Sequence, residues 1–349
     1  MATIVDRYRE TARRRRRRAE RANQRFDIQG LRAVAVLAVF AQHLWAWPHG
    51  GTLGIDVFFV VSGFLLTGGL LTAGNLARFY VGRLRRLVPA AAVVVAATYG
   101  ASLLLEVNPP LEHLWPLAVG TAIVVIWPLL LAATRFRRPP TAALAAVGTV
   151  AAGAAAVTVT DTFTWVAAFG VGALLATAPI GFPPAVKPLV SWAGVAAVAA
   201  GLALPHPALV IAGATLILAA GVGGEPRFQP LLGNRVATYL GDLSYALYLV
   251  HWPVIVLLAG TMAGGVYFDI CAVAFTVGVA IAIHHFIETP GANASRENVR
   301  QARKDIERGL FHVERRTKVA AVGALVLIAI GLCAFAARPD AYALPMPGM

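Results

Sequence analysis

A chain of 349 residues that is 58% hydrophobic and only 13% charged, with a mean hydropathy of +0.70, carries more apolar side chains than a water-soluble core can bury. Its formal charge of +13 would suit nucleic acid if it coated a folded surface. The basic residues lie instead in two tails and between long uncharged runs, so a soluble nucleic-acid-binding class is excluded. The composition predicts an all-α, polytopic transmembrane helix bundle.

In chain order the apolar runs predict about eleven transmembrane helices, at residues 31–47, 53–71, 87–105, 114–133, 142–159, 165–180, 189–204, 208–222, 236–258, 266–287 and 319–337. The seventh and eighth are shorter than the ~20 residues of a straight span. Pro205 and Pro207 between them mark either a tight turn or a re-entrant hairpin. The Ala- and Gly-rich stretch 142–224 reads as close helix packing. Cys271 and Cys333 fall inside apolar runs and read as small hydrophobes, so neither a disulfide framework nor a metal site is expected.

Charge then orients the bundle. The arm through Arg32 holds eleven of the thirty Lys and Arg, and segments 78–86, 135–138, 187, 227–235 and 296–318 hold all the others but Arg338. The alternate loops hold none. The positive-inside rule places the N-terminus in the cytoplasm and the C-terminus outside, in a cell (plasma) membrane. A hydrophilic arm before the first apolar run argues against a cleavable signal peptide. The expected organisation is a basic cytoplasmic arm over 1–25, a ten-helix membrane domain over 26–290, a basic segment over 291–318, an eleventh helix over 319–337 and an outer tail over 338–349. Within the arm, the six consecutive arginines Arg13–Arg18 read either as attachment to anionic lipid or as a topogenic tail.

Polar groups at membrane depth are costly and usually functional. Arg32 and His43 lie eleven residues apart, about three helical turns, so both project from one face of the first helix. Asp56 opens the second helix across a short loop from His43, and a carboxylate there would fix the tautomer of an imidazole base. Arg83, Arg85 and Arg86 sit in a loop after the second helix, where they either meet phosphates or merely set topology. Ser244, Tyr245, Tyr248 and His251 line the ninth helix. By itself, a lone His near a helix end, as His43 is, is more often a hydrogen-bonded interfacial residue.

These strings also carry a family resemblance. Arg25-Phe-Asp-Ile-Gln-Gly-Leu-Arg32 followed by ten residues and His43, Gly54-Ile-Asp-Val-Phe-Phe-Val-Val-Ser-Gly-Phe64, Phe79-Tyr-Val-Gly-Arg-Leu-Arg-Arg-Leu-Val-Pro89, Leu240-Gly-Asp-Leu-Ser-Tyr-Ala-Leu-Tyr-Leu-Val-His-Trp-Pro253 and Glu288-Thr-Pro290 resemble, in order, five motifs of the acyltransferase-3 family of integral-membrane acyltransferases. The resemblance implies transfer of an acyl group, often acetyl from acetyl-CoA, to a hydroxyl of an envelope sugar, glycan or lipid. It implies His43 as catalytic base with Arg32 and Asp56, Arg83 and Arg86 as donor-phosphate contacts, and Ser62, Trp115, Tyr245, His251 and Glu288 as further site candidates. Acyl-CoA is then a cosubstrate, and no permanently bound cofactor, metal or nucleic acid is expected.

Two departures matter. Gln29 stands where the family usually has Asp. The fourth helix, which in the family carries Trp-Ser-Leu-x-x-Glu-x-Gln-Phe-Tyr, reads Trp115-Pro-Leu-Ala-Val-Gly-Thr-Ala-Ile-Val124 here. The sequence therefore leaves three readings: an active acyltransferase with an altered acceptor site, a degenerate relative serving an envelope-assembly complex as subunit or scaffold, and a transporter. A transporter would show paired broken helices in a hydropathy repeat, which this chain lacks.

Overall fold

The computed structural model describes residues 25–72, 76–133, 139–156, 162–178, 180–226, 228–293 and 315–337. The expected basic arm up to residue 24, the basic segment from 294 to 314 and the tail from 338 lie outside the described residues. The described residues are helical with no strand. The main helices are α1 (Phe26–Trp45), α2 (Gly54–Thr72), α3 (Leu76–Leu104), α4 (Trp115–Ala133), α5 (Pro139–Ala156) and α6 (Thr162–Thr177). Then follow α7 (Lys187–Ala203), α8 (Pro207–Ala220), α9 (Arg235–Ala259), α10 (Val266–Ile283) and α11 (Arg315–Ala336). Among the described residues, seven of these helices (α1 to α4 and α9 to α11) are long and apolar enough to cross a membrane. The protein is an all-helical membrane protein.

The apolar runs found the helices, and tertiary contacts moved their ends. α1 starts at Phe26 rather than at residue 31 because a distant carboxylate caps it. Glu225, in the segment after α8, accepts the Phe26 and Asp27 amides, the second at 3.1 Å. Those donors have no partner within the helix, and an anion there also suits the helix dipole. Arg25 completes the anchor, pairing with Asp27 at 2.7 Å and donating to the Leu218 carbonyl at 3.0 Å.

α3 starts eleven residues earlier than the hydropathy implied, so the Arg83–Arg86 segment is helix and not loop. Arg83 and Arg86, three residues apart, share the half-buried face, while Arg85 is exposed. The charges hid the helix from a hydropathy reading; their neighbours, described below, make it tolerable.

Close packing is concentrated where glycines allow it. A Cβ on Gly63 of α2 would strike the Phe169 carbonyl of α6, and one on Gly172 of α6 would strike the Val60 carbonyl of α2. The two backbones meet directly. Gly194 and Gly213 do the same for α7 and α8. These last two helices have only 17 and 14 residues and are joined by a short turn at Pro205. They form an antiparallel pair bound to the core through Val198, Val210, Ala214 and Ile217. By contrast α4 and α11 turn large apolar side chains outward, among them Leu129, Leu130, Val322 and Leu325, as a lipid-facing helix must.

Candidate active site

Two polar clusters lie at opposite ends of the same helices. At one end α1 delivers Arg32, α3 delivers Arg83 and Arg86, and α9 delivers Asp242 and Tyr245. Arg32 interacts electrostatically with Arg86, Asp242, Glu288 and Arg83. Its Nη1 also donates to Gln29 Oε1 at 3.0 Å, so the residue that departs from the family pattern still holds the guanidinium. Glu288 is 1% exposed. It arrives on a π-helical turn, His284–Glu288, that ends α10, and its Oε2 lies 3.2 Å from His284 Nδ1. Such turns add a residue to the helix and re-aim the side chains after it. Tyr245 donates its hydroxyl to the Leu87 carbonyl at 2.9 Å, tying α9 to α3 beside the arginines. Pro89 has no N–H to offer the Arg85 carbonyl, and the backbone at Gly291 packs against that oxygen, where a Cβ would collide with it. Three guanidinium groups against the carboxylates of Asp242 and Glu288 leave this end positive.

At the other end, about 16 Å further along α1 at 1.5 Å per residue, stands His43. Its Nδ1 lies 2.9 Å from Nε2 of His251 on α9, and the rings are 5.1 Å apart and nearly parallel at 11°. The tautomers follow from what surrounds them. His251 is 1% exposed, and its Nδ1 faces the carbonyls of Tyr248 at 2.8 Å and Leu247 at 3.2 Å. Carbonyls only accept, so that nitrogen carries the proton. With one proton on each ring, His251 Nε2 is an acceptor, His43 Nδ1 donates to it, and His43 Nε2 is left with a lone pair. Among the described residues nothing bonds to that lone pair. It is the arrangement of a general base whose partner holds the correct tautomer.

A shell around the pair keeps α9 in place. Pro253 cannot donate to the Leu249 carbonyl, and His113 Nε2 approaches that oxygen at 3.3 Å instead. Tyr248 donates its hydroxyl to the His113 carbonyl at 2.7 Å. Trp252 lies against His43 with ring centroids 4.8 Å apart and donates Nε1–H to Glu112 Oε1 at 3.0 Å.

The structure therefore brings together His43 and His251 at one end, and Arg32, Arg83, Arg86, Tyr245 and Glu288 at the other. The tautomer-fixing partner expected at Asp56 is a different residue. Asp56 is buried in the first turn of α2, and the His43 Nδ1 proton goes to His251. Ser62 is half-buried midway along α2, and Trp115 opens α4 with 60% of its surface exposed. His113, Glu112 and Trp252 were not anticipated from sequence. Their one legible signal was position, since all three stand at the end of the bundle that holds His43.

A family model described as an acyltransferase domain matches residues 25–285. OatA of Listeria monocytogenes, named a peptidoglycan O-acetyltransferase, is 35% identical over 147 residues, which is 30% of this chain and 24% of that protein. YrhL of Bacillus subtilis, named a candidate peptidoglycan O-acetyltransferase, is 34% identical over 162 residues, 34% of this chain and 26% of that protein. The aligned stretch spans about a quarter of the length of these curated relatives. No solved structure matches the chain.

Proposed function

From the premise that the chain belongs to the acyltransferase-3 family, we propose that it is a plasma-membrane O-acyltransferase that moves an acetyl or other short acyl group from acyl-CoA to a hydroxyl of a cell-envelope glycan or glycolipid. The observation that carries this reading is the His43–His251 hydrogen bond, which leaves a lone pair on the half-buried His43 imidazole. In the reaction, His43 Nε2 takes the hydroxyl proton as the acceptor oxygen bonds to the thioester carbonyl carbon. Collapse of the adduct breaks the carbon–sulfur bond. The proton then passes from His43 to the departing thiolate, giving an ester and free CoA. While His43 is an imidazolium, its Nδ1–H still donates to His251, and that bond is stronger for being charge-assisted.

The two-ended layout supports a long donor. Arg32, Arg83 and Arg86 suit phosphates, which guanidinium forks hold better than ammonium groups do. His43 lies at the far end, where a thioester on an extended arm would arrive. The arginine-bearing end is then cytoplasmic, where CoA is found, and the histidine end faces the envelope. Anionic lipid is the partner proposed for the arm that precedes α1.

The test is acyl transfer by the purified chain from acetyl-CoA to a soluble peptidoglycan disaccharide, read as ester formed and thiol released. Wild type should turn over. A positioned base is typically worth ~10²–10⁴ in rate, so His43→Ala should lose at least that much. The apolar α4 keeps one rival reading in play, a degenerate relative that scaffolds other envelope-assembly proteins. No turnover, together with no binding of any acyl-CoA, would favour that rival.

A further inference from the structure

The stripped fourth helix poses a question that the base and donor groups leave open, namely which groups receive the acceptor. Besides Trp115, the hydrogen-bonding side chains of α4 donate within the protein. The Thr121 hydroxyl bonds to the Leu117 carbonyl at 2.8 Å, and Trp127 Nε1–H is spent on Thr67 Oγ1 at 3.0 Å. Most polar groups near His43 are also committed. Gln42 accepts from the Thr52 amide and donates to the His49 carbonyl. The Tyr248 hydroxyl goes to His113, and both His113 nitrogens face backbone carbonyls. Glu112 is an exception. It is exposed, Trp252 holds one of its oxygens, and among the described residues its Oε2 has no partner.

Resting on the acyl-transfer reading, we propose that Glu112 and Trp252 form the acceptor subsite beside His43, built for a polyhydroxylated carbohydrate ring. Trp252 is the link. Its ring centroid lies 4.8 Å from that of His43, and its N–H holds the carboxylate at 3.0 Å, so the indole bridges base and carboxylate. A pyranose has an apolar C–H face that suits an indole and hydroxyl donors at its edge that suit a carboxylate. A carboxylate accepts hydrogen bonds without donating any, so it orients hydroxyls and leaves proton removal to His43 Nε2. In this arrangement the segment just before α4 performs the polar recognition that α4 itself cannot.

The experiment measures the purified full chain in two ways. The first is steady-state transfer from acetyl-CoA to the disaccharide of N-acetylglucosamine and N-acetylmuramic acid. The second is direct disaccharide binding followed by tryptophan fluorescence. Glu112→Gln and Trp252→Phe should each raise the disaccharide KM about tenfold, the worth of one charged hydrogen bond, while the acetyl-CoA KM stays put. Binding should weaken in parallel. Thr121→Ala, outside the subsite, should change neither. An unchanged disaccharide KM, or equal damage to both KM values, overturns the subsite. Tight disaccharide binding lost in Glu112→Gln, in a chain that transfers no acyl group, supports the subsite while overturning the enzymatic reading. N-acylation of a free amino sugar in preference to any hydroxyl would show that Glu112 recruits an ammonium, and would overturn the carbohydrate-hydroxyl assignment.

Discussion

Replacing His251 with phenylalanine leaves a somewhat larger aromatic ring in a buried position and removes the acceptor Nε2 from His43 Nδ1, along with the Nδ1–H given to the Tyr248 carbonyl. A buried donor left without a partner costs about 1–3 kcal/mol. Some of that cost falls on the resting enzyme and cancels. The remainder does not, because in the transition state His43 gains a proton, and hydrogen bonds from a charged donor are roughly twice as strong as neutral ones. The net expectation is a kcat about ten- to a hundredfold lower, at 1.36 kcal/mol per decade. The KM for acyl-CoA should not change, because Arg32, Arg83 and Arg86 lie at the other end of the bundle. The assay is release of CoA thiol by purified protein at saturating acceptor, with size-exclusion chromatography to confirm folding. His251→Gln, whose amide oxygen restores an acceptor, should recover part of the loss. A kcat within about twofold of wild type for His251→Phe would refute the relay. So would an equal loss in His251→Phe and His251→Gln, which would point to packing rather than to the acceptor.

Other expectations follow from the same geometry. Replacing Arg83 and Arg86 together with Ala should raise the KM for acyl-CoA by about tenfold or more per lost charged contact, whereas Arg85→Ala, on the exposed face, should not; equal effects would reduce the motif to topology. Calorimetry across a salt series should show wild-type acyl-CoA binding weakening as ionic strength rises. Gly63→Val should lower the thermal transition in detergent, since overpacking costs about 1–3 kcal/mol or more, whereas Gly68→Val, with open space around it, should not. At the anchor of α1, burial, partly offset by the Asp27 amide, raises the Glu225 carboxyl above its ordinary 4.5. Its folded form thus binds a proton more tightly than its unfolded form. Wild type should gain stability relative to Glu225→Gln as pH falls from neutral through the raised value, and lose that gain as pH rises again; parallel melting curves at all pH values would contradict this.

What the sequence determined by itself was local: the apolar runs, the alternation of basic and uncharged loops, and the order of motifs from Arg25 to Pro290. A run of apolar residues long enough to cross lipid forms a helix wherever it is placed, because every backbone group must bond within it. That is why α1 to α4 and α9 to α11 were legible while several of their ends were not. The start of α1 depends on Glu225, 199 residues away from Phe26, and the charged first turns of α3 carry Arg86 toward Asp242 of α9. The site divides the same way. His43 and Arg32 could be picked out because ionisable groups are rare in membrane helices, and the Arg83/Arg86 pair because of its motif spacing. The partner of His43 could not, since Asp56 is near in sequence, whereas His251 is 208 residues away and meets His43 only when α9 packs on α1. Glu112 and Trp252 were invisible for the same reason. A carboxylate in a loop and an indole in an apolar run are unremarkable until the fold sets one against the other beside an open imidazole nitrogen.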